Sequence, residues 1–105
     1  MNDAVLLAGF SNMDLVDFHY HIDWQSWKGS YIELTAQGQG RKRHLRFSGV
    51  SNLRIDEGFN GSLSGMEIVD ISDRQWDSAR IEVRNFEQDP GVTFLAATME
   101  TVSDT

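Results

Sequence analysis

At 105 residues, 40% of them apolar, the chain has the length for one domain with its own core and is too apolar for a disordered segment. It has no cysteine, which rules out a disulfide framework and thiolate chemistry and fits a reducing compartment. A net charge of −7 argues against nucleic acid and anionic membranes and favours a basic partner.

The charge is unevenly placed. Residues 1–40 carry five acids against Lys28. Residues 41–54 carry Arg41, Lys42, Arg43, Arg46 and Arg54 and no acid, and the remainder is acidic again. No stretch approaches the roughly 20 apolar residues that span a bilayer. Residues 4–10 are apolar but short, and Asp3 stands where a leader carries Lys or Arg. The expectation is a soluble, cytoplasmic protein.

In chain order, residues 2–10 suggest a short helix, capped by Asn2 or Asp3 and ended by Gly9, which must dock on something larger. The run LVDFHYHIDW, residues 15–24, alternates. Val16, Phe18, Tyr20, Ile22 and Trp24 take one side, and Asp17, His19, His21 and Asp23 the other. Side chains of a strand alternate with period 2, so this reads as a half-buried strand with one wetted face. A loop at 25–30 holds Trp27. A second strand covers 31–37 with Ile32, Leu34 and Ala36 inward. A turn at 38–40 leads to a third strand, 43–48, with Leu45 and Phe47 inward.

A short fourth strand carries Leu53 and Ile55. Residues 57–65, with three glycines and the pair Asn60-Gly61, contain a turn. A fifth strand covers 66–71, and Ser72 caps a helical turn with Gln75 as reciprocal cap. A sixth strand, 79–86, breaks parity at Asn85-Phe86, which suggests a bulge. After the turn Asp89-Pro90-Gly91, residues 92–102 are apolar on both parities and read as one strand covered on both faces. The core is expected to unite Val16, Phe18, Tyr20, Ile22, Leu34, Leu45, Phe47, Ile81, Val83 and Phe94. The fold class is mainly β: one antiparallel sandwich or partly closed barrel of about seven strands with a short N-terminal helix.

The two imidazoles on the wetted face raise a metal hypothesis. A hairpin closed at 25–30 sets Ile22 opposite Ile32 and His21 opposite Glu33. The next hairpin sets Leu34 opposite Phe47, with Arg46 near Thr35 and His19. His19, His21 and Glu33 form a ligand set used for zinc or iron. The H-x-H is similar to the cupin pattern, but Gln25 and Ser26 stand where that pattern requires Glu. Arg46 would repel a cation and the face is open, so the plainer reading is a solvated face without metal or other cofactor. The basic run 41–46 sits beside a turn and reads as solvated too. No phosphate-binding glycine loop and no nucleophile elbow is present. Met1, Met13, Met66 and Met99 read as core filler. Trp76 reads as a staple for the helical turn.

RFSGVSNLRI at 46–55, GMEIVDIS at 65–72 and RIEVRNFEQDPGVTFLA at 80–96 carry a resemblance. In that order they resemble small β-rich bacterial domains of unassigned function, some of them grouped with immunity proteins of toxin–immunity systems. The resemblance implies a bacterial, cytosolic, non-enzymatic binder and supplies no functional residue. The resulting expectation is a protein-binding domain, with immunity-type inhibition of a basic partner as its finer form. The alternatives are a metal-assisted enzyme on His19, His21 and Glu33, or a small-molecule binder in a sheet concavity. The expected partner surface is Glu67, Asp70, Asp73 and Asp77, with Trp27 as an exposed anchor. The sequence does not set the oligomeric state.

Overall fold

The computed structural model describes residues 4–7, 9–74, 79–86 and 90–104. Among them are nine strands: β1 Ala4–Val5, β2 Asp14–His21, β3 Tyr31–Gly38, β4 Arg41–Ser48, β5 Ser51–Ile55, β6 Met66–Asp70, β7 Ile81–Asn85, β8 Val92–Ala96 and β9 Thr98–Asp104. All pair antiparallel, in a five-stranded sheet of order β1-β6-β7-β8-β5 and a four-stranded sheet of order β2-β3-β4-β9. The mainly β expectation holds.

The expected helix at 2–10 is a correction. Ala4–Val5 adds to the edge of β6, with Ala4 opposite Asp70 and Val5 opposite Val69, and a single 3-10 turn follows at Phe10–Asn12. A helix this short is marginal alone, whereas the edge of β6 offers main-chain partners and Phe10 finds the core. Residues 2, 3 and 8 of that segment lie outside the described residues. After β6, Ser72–Arg74 forms a 3-10 turn; Gln75 and Trp76 lie outside the described residues.

The two sheets share one core. Ile32, Leu34, Ala36, Leu45 and Phe47 come from the four-stranded sheet, and Met66, Ile68, Ile81, Val83, Val92, Phe94 and Ala96 from the other. Phe47 and Phe94 meet edge to face at 4.9 Å across the divide, a geometry contributing about 0.5–1.5 kcal/mol beyond burial. Val16 and Ile22 do not join this core, contrary to the parity reading. β2 is an edge strand, and its ladder shifts between Leu15 and Asp17, which puts Val16 in a bulge and 54% exposed. The strand stops at His21, so Ile22 and Trp24 leave it. Phe18 and Tyr20 pack against the core from its margin.

Both hairpin registers are displaced by two residues from expectation, which keeps every side chain on its face but changes its partner. Tyr20, not Ile22, opposes Ile32, and Leu45, not Phe47, opposes Leu34. The second displacement comes from a tighter turn. Gln39 and Gly40, with φ of 54° and 75°, make a two-residue hairpin loop with left-handed backbone at both positions.

The last strand expected, 92–102, is two strands in different sheets. Its mixed parity comes from a turn between sheets at Ala97: Phe94 and Ala96 face the core from β8, and Met99 packs on it from β9. The neighbouring chain turns at the same level. Ser48 opposes Thr98 in one sheet and Ser51 opposes Leu95 in the other, so the register passes through the corner unchanged. The Ala97 amide donates to the Ser48 carbonyl at 2.9 Å. On the far side of the molecule β2 is clasped to the β5–β6 connection. There the Leu15 amide donates to the Gly61 carbonyl at 2.6 Å, the Leu63 amide to the Met13 carbonyl at 3.2 Å, and Asp14 bridges Ser62.

Gly49 makes the corner possible. Its φ is +67°, and a Cβ there would lie 2.8 Å from the Ala97 Cβ. Gly49→Ala is therefore expected to cost about 2–4 kcal/mol, adding left-handed strain to overpacking. Gly40→Ala, where a Cβ meets open space, should cost only the conformational part, about 1–2 kcal/mol. Urea unfolding of both variants checks this, and equal losses would remove the steric argument.

Candidate functional site

The outer face of the four-stranded sheet is built by register. On one level lie His21 of β2, Tyr31 of β3, Ser48 of β4 and Thr98 of β9. On the next lie His19, Glu33, Arg46 and Glu100, and then Asp17, Thr35, His44 and Ser103. All three histidines of the chain therefore share one sheet face. Tyr31 is its centre. The His21 ring stacks on it at 4.9 Å and 24°, the His19 ring lies tilted at 6.1 Å, and the Arg46 guanidinium sits 3.9 Å from its centroid. The last is a cation–π contact. Glu33 Oε1 is 3.7 Å from both Arg46 Nη1 and His44 Nε2.

This places the sequence-derived metal set. His19 and His21 share the face, as parity required, but Glu33 stands opposite His19 rather than His21 and is held between a guanidinium and the third imidazole. Among the described residues no group of three His, Asp or Glu side chains is placed to hold a metal ion. The basic run divides between faces. Arg41 pairs with Asp104 at 2.6 Å, Arg43 is buried with Nε 3.7 Å from the same carboxylate, and Arg46 covers Tyr31.

Beyond the sheet face, the loop after β2 is ordered by one side chain. Asp23 Oδ1 accepts the amides of Gln25 and Ser26 at 3.1 and 3.3 Å, and the Asp23 amide donates to the hydroxyl of buried Ser30 at 2.9 Å. An aspartate that satisfies backbone two residues on makes a turn and ends the strand. Trp24, at the tip of this turn, is 84% exposed, and Ile22 beside it is 61% exposed. Parity places Ile22 in the core and Trp24 on the same side of the strand, and neither is buried. The signal that would have found them is Asp23 itself, a turn former in the middle of an apolar alternation. Trp27 begins the 3-10 turn Trp27–Gly29; its side chain lies outside the described residues.

Among the described residues of the acidic set, Glu67 and Asp70 lie on opposite parities of β6. Glu67 Oε1 accepts from Arg84 Nε and Nη2, both at 2.7 Å, on the outer side of β6. Asp70 ends β6 on the opposite parity and lines a cleft of about 310 Å³ with Leu6, Ser72, Arg80, Ile81 and Met99. Asp73 is exposed in the turn Ser72–Arg74, and Asp77 lies outside the described residues. A hydrogen bond from the Ser72 side chain, seconded by the Ser72 amide at 2.8 Å and by Arg80, holds the Asp70 carboxyl below its ordinary value of 3.8.

No helix among the described residues is long and apolar enough to cross a membrane. Comparison with protein-family models, curated proteins and solved structures finds no match.

Two outcomes follow from this geometry. Asp70 should titrate with a midpoint below 3.8, and Ser72→Ala should raise it, as read by NMR of the side-chain carboxyl. Because the folded value is the depressed one, the associated stability is present above the unfolded value and is lost as pH falls through the folded one. A midpoint unmoved by Ser72→Ala would remove the hydroxyl from the account. On the sheet face, calorimetric titration with zinc should show no tight binding, since Arg46 occupies the carboxylate that would complete the set. Tight binding abolished by His21→Ala would reverse that conclusion.

Proposed function

We propose that the chain is a non-enzymatic protein-binding domain, and that its finer form is an immunity-type inhibitor of a basic partner in the bacterial cytoplasm. In this reading the two sheets form a sandwich that serves as a rigid carrier for a contact loop. The observation that supports it most directly is Trp24, 84% exposed on a turn held by Asp23 and Ser30. Tryptophan is the side chain most enriched among the few residues that carry interface energy. A turn whose backbone is already held by hydrogen bonds loses less freedom on binding. Ile22 extends the apolar contact, and the net charge of −7 steers a basic partner toward the domain.

The acidic set has a different part in this reading. Glu67 is engaged by Arg84 and Asp70 by Ser72, so Asp73 and the overall field contribute to approach, while Trp24 contributes to residence. A small-molecule binder is the second reading, favoured by the cleft beside Asp70 with its apolar lining of Leu6, Ile81 and Met99.

The test is co-expression with basic proteins encoded next to this chain, followed by affinity measurement on any complex that forms. Trp24→Ala should weaken binding by about 2 kcal/mol or more while the urea midpoint shifts little, since the side chain is exposed. Association should slow as salt rises toward a screening length of about 8 Å. A complex whose affinity ignores both Trp24→Ala and salt would remove this reading.

A further inference from the structure

Asn60-Gly61 marks a turn in the sequence and has no part in the binding reading, yet it lies in the clasp between the sheets. The Gly61 carbonyl accepts the Leu15 amide at 2.6 Å, the next residue bridges Asp14, and the Leu63 amide reaches the Met13 carbonyl. Asn60 is exposed, and its Oδ1 accepts the Ser62 amide at 3.2 Å. That bond folds the side-chain amide over the backbone that follows it and draws electron density from Cγ. Gly61 has no side chain to shield its nitrogen. Of Asn2, Asn12, Asn52, Asn60 and Asn85, only Asn60 precedes a glycine.

We propose that Asn60 is a self-modification site, at which the amide is exchanged for a carboxylate with water as the only co-reactant, and that the product loosens the clasp. The Gly61 nitrogen attacks Asn60 Cγ and gives up its proton. The nitrogen–Cγ bond forms, the Cγ–Nδ2 bond breaks, and the amide leaves as ammonia with that proton, closing a five-membered succinimide. Water then opens the ring. Attack at Cγ breaks the new bond and gives aspartate at position 60. Attack at the main-chain carbonyl breaks the original peptide bond and gives isoaspartate, whose chain runs through Cβ and Cγ and is longer by one carbon. Either product makes the domain one unit more negative. The isoaspartyl form also inserts its extra carbon directly before the residue whose carbonyl holds Leu15.

The experiment ages the intact wild-type chain and Asn60→Gln at neutral and mildly alkaline pH, with Asn60→Asp as a charge control. Peptide mass mapping and isoaspartyl-methyltransferase labelling locate the change, and hydrogen exchange follows the clasp. Asn60 should convert ahead of Asn12, Asn52 and Asn85, faster at the higher pH, and Asn60→Gln should not convert. In the isoaspartyl fraction the Leu15 and Leu63 amides should exchange about tenfold faster, the loss of roughly one hydrogen bond's worth of protection. Asn60→Asp should move these amides less. If Asn60 keeps its amide while another asparagine changes, the site is refuted. If Asn60 converts and both amides exchange as before, the effect on the clasp is refuted.

Discussion

At Gly49 and Ala97 two neighbouring strands leave one sheet and enter the other together, and the Ala97 amide stays bonded to the Ser48 carbonyl as they do so. A strand that bends alone must abandon its ladder, and buried main-chain groups without partners are costly. Here both strands bend at the same level, so β4–β9 pairing runs into β5–β8 pairing with its register intact. The bend points Phe47 and Phe94 at each other from different sheets. Few residues could occupy the inside of such a corner: a Cβ at position 49 would collide with Ala97.

The corner also reaches the Asp23 turn. The Ser30 carbonyl accepts the amides of Gly49 and Val50 at 3.0 and 3.3 Å, while the Ser30 hydroxyl accepts the amide of Asp23. One buried serine thus joins the inter-sheet bend to the turn that presents Trp24. Tyr31, the next residue, starts β3 between His21 and Arg46. The polar–aromatic sheet face and the turn that carries Trp24 therefore meet at Ser30 and Tyr31.

Much of the fold was legible because half-buried strands write their geometry as alternation. Ile32, Leu34, Ala36, Leu45 and Phe47 were assigned inward and are fully buried. What alternation cannot convey is where a strand stops or changes sheet. Trp24 has the parity of Phe18 and Tyr20, but Asp23 satisfies its own downstream backbone and ends the strand first. Residues 92–102 look doubly covered, because a strand that crosses between sheets reverses its inward parity in the same way as a strand buried on both sides. The displaced registers have a third cause: a shift of two preserves every inward residue, so the apolar pattern is blind to it. The histidine row was visible in sequence, but Tyr31 at its centre was not, since its role depends on pairing with His21 rather than on spacing along the chain.

The basic run Arg41, Lys42, Arg43 and Arg46 lies on β4, whose partner β9 comes far downstream in the chain. The meander β2–β3–β4 closes through local contacts, whereas β9 pairs with β4 from far downstream, at a larger loop-closure cost. Without β9 one edge of β4 would be bare, and a bare edge invites pairing with another copy. Four cations along that edge repel a second copy carrying the same four. The strand that finally closes it brings Glu100 opposite Arg46 and Asp104 opposite Arg43. The charges that make this segment stand out in an acidic chain would thus oppose self-pairing at an unfinished edge, and Arg41, Arg43 and Arg46 meet carboxylates when the sheet is complete.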